Sequence, residues 1–150
     1  LFPTDRTRAS PYHPSDRRFL DPIFVDVSAL PLVGDLAAVR AALAAQQAVF
    51  AALAARQAVD HAGVWRAKQA VLSAAWQALP DSHPARDALA TFRQEGGTAL
   101  ERFCAFNAIA DREGHTDATR WPAGLRHGAD AGVVAFAREH ADAVAFIAFQ

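Results

Sequence analysis

The sequence predicts a mainly α-helical fold preceded by an irregular, proline-framed segment. Three observations predict it. Apolar residues from Leu36 onward recur at steps of three, four and seven, the spacing of one helical face. Alanine fills the intervening positions, and it is the best helix former. Turn signals punctuate the pattern: Gly34, Pro80 to Pro84, Gly96-Gly97 and Gly114.

The first 33 residues have a different chemistry. Leu1 to Ala9 reads as polar loop. Ser10 to Pro22 holds Pro11, Pro14 and Pro22, each of which removes an N–H donor and biases its predecessor to extended backbone. Ile23 to Val27 is β-branched and aromatic and reads as a short strand or extended segment. From Gly34 on the chain is helical. Asp35 is a good N-cap for a first helix whose apolar face is Leu36, Val39, Leu43, Phe50 and Leu53. A break near Val59-Asp60-His61 precedes a second helix to about Leu79, with Val64, Lys68, Val71, Leu72 and Trp76 on or near its inner side. A third helix runs from Ala85 to Glu95, and Gly96-Gly97 ends it. Thr98 and Glu101 form a capping box for a fourth, with Leu100, Phe103, Cys104, Phe106 and Ile109 inside. His115 to Gly128 is loop around Trp121-Pro122. Asp130 caps a helix to His140, and Asp142 another with Phe146 and Phe149. The division expected is therefore residues 1–33 and 34–150.

Composition bounds the function. The chain has 150 residues, 52% of them hydrophobic, and a formal net charge of −1. That is enough for a packed core, and it gives no electrostatic argument for nucleic acid or an anionic membrane as partner. Arg, Gln or Asp interrupts every alanine-rich run, so no segment is expected to span a membrane. The single cysteine, Cys104, excludes an internal disulfide framework and suits a reducing, cytoplasmic setting. With no methionine, and with an apolar helical pattern running up to Gln150, the chain is expected to be an internal piece of a longer protein.

Few residues offer chemistry. The histidines show no metal-ligand spacing, so no metal site is expected. Cys104 lies among Leu100, Phe103 and Phe106, as a buried inert thiol would. Trp65 and Trp76 lie on or near helical apolar stripes and read as core. Trp121-Pro122 would lock its loop onto the helices, or Trp121 could offer its ring to a sugar. Asp16, Asp21 and Asp26 are evenly spaced, but nothing places two of them across a bond, so no catalytic residue is assigned. Arg17 and Arg18 could grip an anion, or one could pair with a nearby Asp and pin the loop. Tyr12, held between prolines, either anchors the loop on the core or offers a ring face and a hydroxyl to a sugar.

Ser10 to Val27 also resembles the segment SPYxPSSRRFLNPLYIDV of the bacterial 4-alpha-glucanotransferases, the amylomaltases of glycoside hydrolase family 77. Asp16 stands where that family has Ser, and Asp21 where it has Asn. Further on, Val59-Asp60-His61 is similar to the family's VDY, ahead of Lys68 and Trp76. Phe106-Asn107-Ala108-Ile109, Trp121-Pro122 and Phe146 to Phe149 follow in the family's order, the last an imperfect match to FxxFLQ. The resemblance implies a (β/α)8 barrel parent with its active site on the loops of one face. Residues 1–33 would be an active-site loop and short strand of that barrel, and 34–150 a helical insertion subdomain. It implies a maltodextrin substrate, with Ser10 and Tyr12 as substrate-contacting residues and the catalytic carboxylates further along the parent chain. The partners would be that α-1,4-glucan and the rest of the barrel. The alternative is a stand-alone helical interaction module.

Overall fold

The computed structural model describes residues 2–3 and 14–16 as backbone and residues 18–150 in full. The chain falls into two compact units, Leu1–Pro80 and Asp81–Gln150.

In the first unit, a minimal antiparallel pairing joins β1 (Phe2–Pro3) to β2 (Pro14–Asp16). The segment read as a strand, Ile23 to Val27, is instead a 3₁₀ turn, Pro22–Phe24, followed by bends. The reason is local. Pro22 sits at the first turn position with its φ preset, and the Asp21 carboxylate accepts the Ile23 N–H at 2.9 Å. Capping chemistry outweighs the β-preference of Ile23 and Val25.

Two helices dominate this unit. After a single turn, α1 (Leu32–Asp35), come α2 (Ala37–Ala54) and α3 (His61–Ala78), which pack on each other. Asp35 does not cap α2. It ends α1, and Leu36 occupies the N-cap of α2 without a side-chain bond. Asp60 does cap α3: its carboxylate accepts the Gly63 N–H at 2.8 Å and pairs with Arg56. Val27, Leu32, Val39, Val71, Leu72, Ala75 and Trp76 are buried. Val39 is the one fully buried residue of α2, and most of its alanines are exposed. Contrary to expectation, α2 is long and apolar enough, by length and composition, to cross a membrane. Its interruptions amount to Arg40 and the amides of Gln46 and Gln47, one formal charge in eighteen residues.

The second unit is built on α4 (Pro84–Glu113), with α5 (Ala131–Glu139) and α6 (Ala141–Phe149) packed against it and each other. Pro84 opens α4, and His83 Nδ1 accepts the Ala85 N–H at 3.1 Å. The expected stop at Gly96-Gly97 appears as a break inside this run, where Gly97 has φ 53° and ψ −151°. The capping box does not form around Glu101. Its two carboxylate oxygens take Arg93 Nε and Nη2 at 2.9 and 3.0 Å, a bidentate clamp across the break.

An added Cβ at Gly97 would meet nothing within 4 Å, so a substitution there tests backbone strain alone. Gly97→Ala is expected to destabilise the chain by about 1–3 kcal/mol, measured by urea unfolding followed by circular dichroism. A cost near zero would show that the break does not require glycine.

Past α4, Gly114 takes φ 74° at the C-cap. The loop to α5 carries two 3₁₀ turns, Ala118–Arg120 and Ala123–Leu125. Asp130 stands at the N-cap of α5 without a side-chain bond to the helix and accepts the His127 N–H at 3.2 Å. His140, rather than Asp142, holds the N-cap position of α6. Leu100, Cys104, Ile109, Trp121, Val133, Phe136, Val144 and Ile147 are buried.

Candidate functional site

Ser10 and Tyr12, the two residues assigned to substrate, lie outside the described residues, as does Arg17. What the structure describes is the shoulder from which their segment departs, residues 18–28.

The shoulder is held by polar contacts made mainly to its own backbone. Asp21 is buried and caps the 3₁₀ turn, a role that needs only an acceptor. A carboxylate accepts there as an amide oxygen would, so the cap itself tolerates the Asn-to-Asp departure. Asp26 accepts from the Ser28 N–H at 2.9 Å and from the Ser28 hydroxyl at 2.6 Å. The Ser28 bonds, the hydroxyl above all, hold its carboxyl below the ordinary Asp range. Arg18 places its guanidinium 5.4 Å from the Phe19 ring centroid.

One contact reaches the shoulder from α3. Lys68 Nζ donates to the Ile23 carbonyl at 2.5 Å and to the Val25 carbonyl at 2.7 Å. Burial pushes this amine below its ordinary range, and the charges of Asp26 and then Asp21 pull partly the other way.

Beside Lys68 lies a groove of about 550 Å³ lined by Phe24, Asp26, Ser28, Leu43, Gln47 and Phe50 among others. Leu20 and Phe24 are 83% and 79% exposed, large apolar side chains presented to solvent at the shoulder. Among the described residues no three His, Cys, Asp or Glu gather where a metal could bind. Cys104 is buried and unpaired, as expected of an inert thiol. Trp121 is buried, with its indole N–H donating to the His115 carbonyl at 3.1 Å, so it does lock its loop. Trp76 is core, and Trp65 is half-buried.

The whole chain, residues 1–150, matches the sequence profile of glycoside hydrolase family 77, described as 4-alpha-glucanotransferase. The chain belongs to the 4-alpha-glucanotransferase family. Among curated relatives, a 4-alpha-glucanotransferase of Mycobacterium bovis is 36% identical over 137 residues, covering 91% of this chain and 19% of the relative. Proteins of the same name from two strains of Mycobacterium tuberculosis match to the same extent. The chain thus spans about a fifth of the length of these 4-alpha-glucanotransferases. Its mainly helical structure suits a subdomain of such a protein.

Sequence reasoning placed Lys68 on α3 but did not find its contact. Its carbonyl partners lie 43 and 45 residues back along the chain. A signal was present all the same: Lys68 is the one lysine in a chain that otherwise uses arginine.

Proposed function

We propose that this chain is part of an enzyme that transfers α-1,4-glucan segments between maltodextrins, and that it supplies substrate contacts rather than catalytic groups. The observation that carries the reading is the family match over residues 1–150. It favours a piece of an enzyme over a stand-alone helical interaction module. In this reading residues 1–33 serve as an active-site loop of a (β/α)8 barrel and 34–150 as the helical subdomain inserted beside its cleft. The parent works in the cytoplasm, needs no metal or organic cofactor, and binds neither nucleic acid nor membrane.

The chemistry is retaining. Such transfer needs a nucleophilic carboxylate and an acid/base carboxyl about 5–5.5 Å apart, with a covalent glycosyl-enzyme between the two half-reactions. Asp21 and Asp26 are engaged in backbone caps, which supports placing the catalytic carboxylates elsewhere in the parent chain. Ser10 and Tyr12 would hold the glucan by a hydroxyl and by a ring face with a hydroxyl. Stacking is worth about 0.5–1.5 kcal/mol and a neutral hydrogen bond about the same.

The test is maltotriose disproportionation. The full-length protein is expected to release glucose and build longer maltodextrins, and the 150-residue chain alone to do neither. Tyr12→Ala in the full-length protein should lower kcat/KM about 10- to 100-fold, from the two contributions just given. Full activity in that variant would remove Tyr12 from the substrate site, and turnover by the isolated chain would overturn the division of labour.

A further inference from the structure

We infer that the outer face of α2 is an interface: another part of the same polypeptide, outside residues 1–150, packs along it in the whole protein. The inference rests on the functional reading above, which takes this chain as part of a longer enzyme.

The chemistry of α2 calls for a cover. Its apolar residues are not confined to the side that holds Val39. Ala41, Ala45, Ala48 and Ala52, at steps of four, three and four, form a line down the opposite side, and all are exposed. Of the exposed positions of α2, only Arg40 and Gln47 carry a polar side chain; the rest are alanine or valine. Arg40 is turned back to the start of the helix, where its Nη1 donates to the Val33 and Gly34 carbonyls at 2.9 Å each. A helix that is hydrophobic all round is normally buried, yet Val39 is the one residue of α2 that the chain buries. The helix α4 shows what a solvated surface looks like in this protein, since its exposed positions include Asp87, Gln94, Glu95, Arg102 and Arg112. The bare face of α2 also runs into the groove beside Lys68. Ala44 and Gln47 belong to both, and Phe24, 79% exposed, lines the same groove.

Lipid, a second copy and more of the same chain are the covers available. The helix packed along α2 argues against lipid. It is α3, which carries Arg66 and Lys68 in its first half, and a bilayer that took in α2 would have to take in those charges as well. A second copy would have to find this face by free diffusion. A tethered segment meets it as an intramolecular event, at an effective concentration in about the millimolar range. The material exists, because the chain spans 19% of the length of its Mycobacterium bovis relative, which leaves about four fifths of such a protein to supply the cover.

The experiment uses the full-length protein with a cysteine placed on the face. Ala41→Cys and Ala48→Cys are treated with a thiol reagent at about pH 8, and the modified peptides are quantified by mass spectrometry. Both positions are expected to react more than about tenfold more slowly in the native protein than in urea. A smaller slowing means that the face is open and overturns the inference. Ala48→Arg keeps a good helix former but puts an unpaired charge under the cover, so the melting temperature should fall by more than about 5 °C. A smaller shift is that of a solvated face and overturns the inference too. If the arginine variant does not fold, the cysteine variants still decide. Repeating the labelling on dilution, with the mass read by light scattering, identifies the cover. Protection that does not depend on the state of association supports a cover from the protein's own chain. Protection lost as an oligomer dissociates assigns the face to a second copy, and flotation with vesicles of phosphatidylcholine and phosphatidylglycerol assigns it to lipid; either result overturns the inference. A full-length protein that fails to disproportionate maltotriose overturns the functional reading instead, and the labelling still decides what covers α2.

Discussion

Replacing Trp121 with alanine is expected to cost about 3–5 kcal/mol. Trp121 is 1% exposed and lies in a loop with no long helix of its own to hold it. Its ring meets Phe106 of α4 at a centroid distance of 5.0 Å. Its indole N–H closes onto the His115 carbonyl, and its own carbonyl accepts Arg126 Nε at 2.8 Å. The side chain thus fastens the start of the connection to α4, and the main chain of the same residue holds Arg126 further along it. Alanine would leave a large cavity and free the His115 carbonyl. A unit the size of Asp81–Gln150 has a total stability of about 4–10 kcal/mol at the usual density per residue, so the loss is a large part of it. Urea unfolding followed at 222 nm by circular dichroism measures it, since that signal does not depend on the indole being removed. Trp121→Phe keeps the ring contact and loses the hydrogen bond, and should cost clearly less. A loss below about 1 kcal/mol in the alanine variant would show that the loop is held by something else.

The role of Trp121 was legible because it depends on neighbours in sequence. An aromatic residue before a proline, between two helical patterns, has few places to go. The helices were legible for the same reason: Val39, Leu43, Phe50 and Leu53 describe a face, and the fold buries or half-buries all four. The turn at Pro80 to Pro84 and the break at Gly97 follow from backbone chemistry that only those residues bring.

The misreadings share a cause. Ile23 to Val27 looked like a strand because side-chain type was weighed above the Asp21-Pro22 pair in front of it. That pair carries a cap and a preset φ, and it turns the chain before any ladder could form. Glu101 was matched to Thr98 by spacing, yet Arg93 eight residues earlier offers two charged donors in place of one backbone N–H. On α2 the polar interruptions are too sparse to offset the alanines between them, so the helix as a whole is apolar. The Lys68 clamp was out of reach of any local pattern. Its acceptors are backbone carbonyls, which every residue has, so nothing in the side chains of Ile23 or Val25 announces them.

The thiol of Cys104 gives the other large effect, and it is a dependence on pH. Cys104 is 1% exposed on the inner face of α4. Burial pushes its pKa from the ordinary 9.0 up to about 12; the Glu101 charge adds to the rise, and Arg93 offsets part of it. In the unfolded chain the thiol ionises near pH 8.5–9. Below that range both states hold the proton, and the group makes stability neither rise nor fall. Above it the unfolded chain releases the proton while the folded one retains it, so the unfolded state gains. Stability should therefore fall by about 1.4 kcal/mol per pH unit from about pH 9 towards 12, roughly 4 kcal/mol in all. Other groups titrate in this range, so the comparison must be with Cys104→Ala, which lacks the thiol and keeps the rest. The difference in unfolding free energy between the two proteins should be constant from pH 7 to 8 and should shrink above pH 9 as the parent loses its advantage. A thiol reagent offers a second view. At pH 8 it should label Cys104 in urea and leave the folded chain unmodified, because the reactive thiolate exists only after unfolding. Parallel stability profiles for the two proteins, or rapid labelling of the folded chain, would mean that this thiol is not sealed between the clamp residues of α4 and the core behind them.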